Sequence, residues 1–219
     1  MAAEIPYRVR RATRARRVRV RVDPEHGVEV VLPSTAPERA AAAAVAELAP
    51  WIERRLVELA GARERLARTA GRLPYLDGCL ELVVQSGRHR AHRDGDVLFV
   101  PAGEGTRPAI ERWYRRAARV EILPRLDAAT AVAGTRFASL TIRNQRTRWA
   151  SCASNGAMSF NWRLLLAPER VLEYVVWHEV CHLEIADHSP RFWALLESRC
   201  PGWREPAAWL RDNGSALVL

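Results

Sequence analysis

Residues 16–22, RRVRVRV, alternate charged and apolar side chains. That period of two predicts a half-exposed strand. Pro24 to Gly27 supplies a turn, and Val28 to Leu32 reads as the hairpin partner, broken by Pro33-Ser34-Thr35. Residues 36–68 are rich in Ala, Leu, Glu and Arg and read as one helix or two, with Trp51, Ile52, Leu56 and Leu59 at helical spacing. Gly71 to Gly78 predicts a loop, and short strands follow near 79–84 and 97–100. Pro101 to Pro108 is the clearest linker, dividing an N-terminal β/α region, 1–105, from a second region, 106–219.

From Ala109 to about Ala133 the pattern is helical again, with Trp113, Ala117, Val120 and Ile122 as apolar positions. Leu140-Thr141-Ile142 begins a second β region. Arg148–Cys152 and Ala157–Leu166 flank Ser154-Asn155-Gly156, and Asn-Gly between two strand-like runs is a hairpin signal. Pro168 opens a helix running to about Ile185. Ser189 and Pro190 open another, ending near Arg199, and a last short helix near 205–212 is stopped by Gly214. The order of elements predicts an α+β fold.

Composition narrows the class. The chain has 219 residues, 48% hydrophobic and 27% charged, which excludes disorder for its bulk. No apolar run approaches the roughly 18 residues of a membrane span. The segment MAAEIPYRVRR lacks an apolar core, so a secretory signal is not expected and the cytoplasm is the expected compartment. All 34 basic residues are Arg, against 25 acidic ones, for a net charge of +9. That excess permits nucleic-acid contact, and the eight arginines between Arg8 and Arg21 form either a basic strip or a solvated strand face. Cys79, Cys152, Cys181 and Cys200 show no CxxC spacing, which excludes a four-thiolate zinc ribbon.

The chemistry lies in Val176-Trp177-His178-Glu179-Val180-Cys181-His182, which contains H-E-x-x-H inside a predicted helix. Residues four apart share a helix face, so His178 and His182 can converge on one ion while Glu179 reaches a water without ligating. A third ligand is needed. His188 follows His182 by six residues, the metzincin gap, but Ile185 stands where metzincins place Gly, and no Met follows for their Met-turn. Glu197, on the next helix, is the alternative, and His188 is preferred to it as the imidazole nearer in sequence. Cys181 reads as a buried thiol rather than a fourth ligand, which would close the site to water. Asp187 or Glu184 could orient a ligand ring. Arg148 and Asn161 could face the cleft, Tyr174 could assist an oxyanion, and the strand next to the metal helix could receive an extended substrate. His89 and His92 read as exposed.

The run Ile142-Arg143-Asn144-Gln145-Arg146-Thr147-Arg148-Trp149-Ala150-Ser151-Cys152 precedes Ser159-Phe160-Asn161-Trp162-Arg163-Leu164 and then Leu166-Ala167-Pro168. Together with HEVCHLEIADHSPRFW, these segments resemble the YgjP-like metallopeptidase family over roughly residues 16–212. The H-S-P-x-F-W tail is also similar to SprT-like zinc proteases. The resemblance implies a zincin-like α+β metallopeptidase and one Zn2+ per chain on His178, His182 and His188. Glu179 is then the base that activates a zinc-bound water against a peptide bond. Ala150 stands where that family usually has Gly, and Asp187 where it often has Asn. The alternatives are a zinc hydrolase of nucleotide phosphoanhydrides, for which no phosphate-binding glycine pattern is found, and a SprT-like protease acting on nucleic-acid-associated proteins.

Overall fold

The computed structural model describes residues 5–23, 27–68, 71–145 and 147–219. Residues 24–26 of the expected turn, and the side chain of Leu59, lie outside the described residues. The chain forms two compact units, Met1–Arg68 and Thr69–Leu219.

The first unit holds β1 (Tyr7–Ala12), β2 (Arg19–Asp23), β3 (Gly27–Pro33), α1 (Arg39–Glu47) and α2 (Ala49–Arg68). β3 is central, antiparallel to β2 and parallel to β1. The expected hairpin is therefore present. β1 lies outside the strands that the sequence predicts: its alternation lasts only from Tyr7 to Arg10, and four of its six side chains are exposed. Val28, Val30 and Leu32 of β3 pack with Ala41, Val45 and Ile52. Trp51, expected among the apolar positions, is 40% exposed. It lies about 100° around the helix from the fully buried Ile52.

The second unit opens with β4 (Arg72–Tyr75), β5 (Gly78–Gln85), β6 (His92–Asp94) and β7 (Val97–Pro101), in the order β4-β5-β7-β6. The stretch read as a loop thus supplies β4, turned back on β5 through Leu76 at φ 54°. β5 and β7 run parallel. α3 (Thr106–Ala133) follows after a short 3-10 turn. Leu80, Leu98 and Val100 of the sheet share one core with Ile110, Trp113 and Tyr114 of α3. The Tyr114 hydroxyl donates to the Pro74 carbonyl at 2.5 Å. Pro101–Pro108, read as a linker, accordingly lies inside the second compact unit, whose core takes residues from both sides of it. Along α3 the buried stripe follows Ile110, Tyr114, Ala118, Ile122 and Leu126. Steps of four residues drift about 40° each. The expected core position Val120 therefore lies off the stripe and is 70% exposed.

The remaining elements carry the site. They are β8 (Ser139–Arg143), β9 (Ala150–Cys152), β10 (Ala157–Asn161), α4 (Glu169–Cys181), α5 (Pro190–Arg199) and α6 (Arg204–Asn213). The sheet order is β8-β10-β9, with β9 and β10 joined as the expected hairpin and β8 parallel to β10. Gly156 at φ 77° makes that turn, and a Cβ there would meet the Ala138 nitrogen at 3.3 Å. Ala150 sits in β9 without a positive φ, so the alanine is compatible with the hairpin. Gly214 does not stop α6 by a left-handed turn, since its φ is −56°. Its hydrogen side instead faces the Trp149 ring, where a Cβ would sit 2.8 Å from Cζ2.

Candidate metal centre

α4 buries Val171, Leu172, Val175, Val176 and Val180 and carries His178 and Glu179 in its last turn. The helix ends at Cys181, one turn before the expected Ile185, but His182 keeps helical angles (φ −69°, ψ −15°) and stays on the His178 face. The chain then turns, with the Ile185 N–H donating to the Cys181 carbonyl at 3.0 Å. The Ser189 N–H donates to the Asp187 carboxylate at 3.0 Å, just before Pro190 opens α5. This turn returns His188 to the first two histidines.

The three Nε2 atoms form a near-equilateral triangle: 3.2 Å from His178 to His182, 3.2 Å from His182 to His188, and 3.0 Å from His188 to His178. Tetrahedral Zn–N bonds of about 2.05 Å would hold nitrogens about 3.3 Å apart. The triangle therefore fits such an ion. The donor chemistry fits as well. The Nδ1 of His182 lies 3.0 Å from the Ile185 carbonyl, which can only accept, so the proton belongs on Nδ1 and the Nε2 lone pair faces its neighbours. Lone pairs gathered in this way repel unless a cation lies among them. Burial, followed by the charges of His182 and His188, lowers the His178 pKa to about 4, so its ring is neutral at ordinary pH. Among the described residues this trio is the group of His, Cys, Asp or Glu placed to hold a metal ion.

Aromatic rings form the floor. Phe192, fully buried, lies 4.9, 4.5 and 4.9 Å from the ring centres of His178, His182 and His188. Trp193 stacks on His188 at 5.4 Å and on Trp203 at 4.7 Å, and Trp203 stacks on Tyr174 at 6.2 Å. No role for Phe192 or Trp193 was assigned from sequence. The available signal was their position, four and five residues after His188.

Glu179 is 5% exposed. Burial pushes its carboxyl up to about 7, against the opposing pull of the Cys152 N–H and the Arg148 guanidinium. The Cys152 N–H, on β9, faces this carboxylate closely enough to act on it, while Oε2 is buried with no hydrogen-bond partner. The other candidates divide clearly. Glu197 accepts from Arg204 and from the Gly202 N–H and stands outside the trio. Glu184 pairs with Arg199 at 2.5 Å and Asp187 caps its own turn, so the Ile185 carbonyl, rather than either carboxylate, orients His182. Cys181 is buried against Arg199. Asn161, also buried, donates to the Gln145 and Arg148 carbonyls and thereby ties down the loop before β9. Arg148 is exposed and close enough for its charge to act on Glu179. Tyr174 lies edge-on to His178 at 5.8 Å. His89 and His92 are exposed, as expected.

An imidazole trio from the end of a helix and the turn that follows it, beside a buried carboxylate, is the architecture of metal-dependent hydrolases. Residues 16–213 match the model of the YgjP-like metallopeptidase domain, and the chain belongs to that family. It is thus a metallopeptidase of zincin-like α+β fold, with a metal cofactor and peptide or protein substrates. No curated protein matches the chain. Among solved structures it is similar to the crystal structure of the metallopeptidase zymogen of Pyrococcus abyssi abylysin. The identity is 24% over 41% of this chain and 92% of that one, with a TM-score of 0.37. No helix among the described residues is long and apolar enough to cross a membrane.

Proposed function

We propose that His178, His182 and His188 hold one zinc ion per chain and that Glu179 is the general base of peptide-bond hydrolysis. The observation that carries this reading is the Nε2 triangle, whose edges of 3.0 to 3.2 Å suit a single small cation. Three imidazoles favour zinc over the oxygen-seeking magnesium or calcium.

A zinc ion held there supplies polarisation of the scissile carbonyl and acidification of a water. The chain supplies the rest. The Ile185 carbonyl holds the His182 tautomer. The Cys152 N–H faces Glu179, whose Oε2 has no hydrogen-bond partner in the protein and is available to a proton. A carboxyl brought close to neutrality by burial can accept a proton from the attacking water and return it to the leaving amine. Four free thiols suit a reducing compartment such as the cytoplasm. Phosphoanhydride hydrolysis is not favoured, since the family is one of peptidases.

The test is Glu179→Gln. The amide keeps the shape and the three imidazoles, so zinc content is unchanged, while release of new amino termini from a peptide library falls about 10²–10⁴-fold. Full activity in that variant removes Glu179 from the mechanism.

A further inference from the structure

The sheet of the first unit has two faces, and its core accounts for only one. Paired residues on adjacent strands point the same way, and successive residues on one strand point opposite ways. Val28, Val30 and Leu32 point into the core together with Tyr7, Val20 and Val22. The positions between them form the other face. There Glu29 stands between Arg8 of β1 and Arg21 of β2, and Val31 stands between Arg10 and Arg19. Four arginines thus surround one carboxylate and one small apolar side chain.

Arg8, Arg10 and Arg19 are exposed and Arg21 is partly so. Val31 between them is only 3% exposed. Arginine stems cover apolar surface while their heads stay in water. Arg10 pairs with Glu29 at 3.3 Å, an exposed ion pair of the kind that contributes little. Arg11, one residue on, turns the other way and donates to the Ser34 and Ala36 carbonyls at 3.1 and 2.9 Å. The segment between β1 and β2 adds exposed Arg14, Arg16 and Arg17. Arg8 and Arg10 on β1, and Arg19 and Arg21 on β2, stand two residues apart on the same face of their strands, where like charges repel. A polyanion laid on this face would relieve that repulsion.

We propose that this open sheet face binds the phosphate backbone of a nucleic acid without reading its sequence. Planar guanidinium forks match phosphate oxygens two at a time, which is the chemistry such a row of arginines provides. None of the side chains described on this face is aromatic, so it offers no platform for base stacking. The same composition argues against a membrane surface. Interfacial elements insert Trp, Phe or Leu, and here the apolar residue is a covered valine. The face shares no residue with the metal centre, so its failure would leave the peptidase reading intact, and the reverse holds as well.

The experiment follows fluorescence anisotropy of a mixed-sequence DNA duplex titrated with the full chain between about 50 and about 200 mM salt. Three to four neutralised phosphates predict a slope of log affinity against log salt of about −3, hence affinity about 50- to 150-fold weaker at the higher salt. The double variant Arg19→Gln/Arg21→Gln reduces that slope by about two and weakens binding at low salt at least about tenfold, with melting temperature and peptide hydrolysis unchanged. Glu29→Gln frees Arg10 and removes the opposing charge, so it tightens binding. No binding at about 50 mM salt overturns the proposal. So does equal affinity in Arg19→Gln/Arg21→Gln, or stronger binding to phosphatidylserine vesicles or polyglutamate than to the duplex.

Discussion

His182 and Phe192 stack with ring centres 4.5 Å apart and planes inclined by 26°. Phe192 also meets the other two imidazoles from below, at 4.9 Å each. One buried ring on α5 therefore sets the height of a ring trio supplied by α4 and the following turn. Phe192→Ala should cost about 3–5 kcal/mol of stability, as large-to-small changes in a packed core do. It should also lower zinc affinity, because the three nitrogens lose their common support. Phe192→Leu should recover most of both. Denaturant melts run beside zinc titrations separate the two effects. Loss of stability with unchanged zinc affinity would reduce Phe192 to core filler.

His188 and Glu197 make opposite predictions for metal content. His188 lies within 3.2 Å of both partner nitrogens, whereas Glu197 is engaged with Arg204 and the Gly202 N–H. His188→Ala should reduce zinc from about one per chain to well below that, and Glu197→Ala should leave it in place. Elemental analysis of the purified variants decides the matter. Zinc lost in Glu197→Ala alone would reverse the assignment.

Gly214 packs against Trp149, at the mouth of the β9–β10 hairpin. Its backbone angles suit any residue, so the glycine is required sterically, not conformationally. Gly214→Ala places a methyl 2.8 Å from the indole and should destabilise the fold by about 1–3 kcal/mol, the usual cost of overpacking. A melting temperature equal to that of the parent chain would show that the indole can move aside freely.

Alkaline pH should destabilise the second unit through the half-buried phenol of Tyr75 and the buried phenol of Tyr114. Burial, with a hydrogen bond donated to Glu121 at 2.8 Å, raises Tyr75 to about 12. Burial raises Tyr114 further still. In the unfolded chain both ionise near about 10. The folded state thus prefers the neutral phenols. That preference contributes its full stability below pH about 10; the Tyr75 share is lost as pH rises from there through about 12, and the Tyr114 share goes on falling above that. Denaturant midpoints measured at about pH 9 and about pH 11 should fall across that interval. Tyr75→Phe should lessen the fall.

The metal helix and its pair of histidines were legible in the chain itself, because a four-residue spacing and a helical period are local properties that need no partner. The same holds for the Asn155-Gly156 hairpin and for the alternation of β2. Parallel pairing is different. β5 joins β7, and β8 joins β10, across intervening elements, and no short window of sequence records such a choice. The 3-10 turn and start of α3 looked like a linker because Gly and Pro mark turns whether or not one core continues across them. At the site, sequence left His188 and Glu197 both standing. Folding of the Ile185–Ser189 turn brings the imidazole to the other two, and Arg204 holds the carboxylate away. The unpartnered oxygen of Glu179, its rise toward neutrality and the Phe192 floor are likewise products of burial, which depends on what the rest of the chain packs against each residue. Local spacing thus specified which groups could do chemistry, and long-range packing decided which of them meet and in what state of charge.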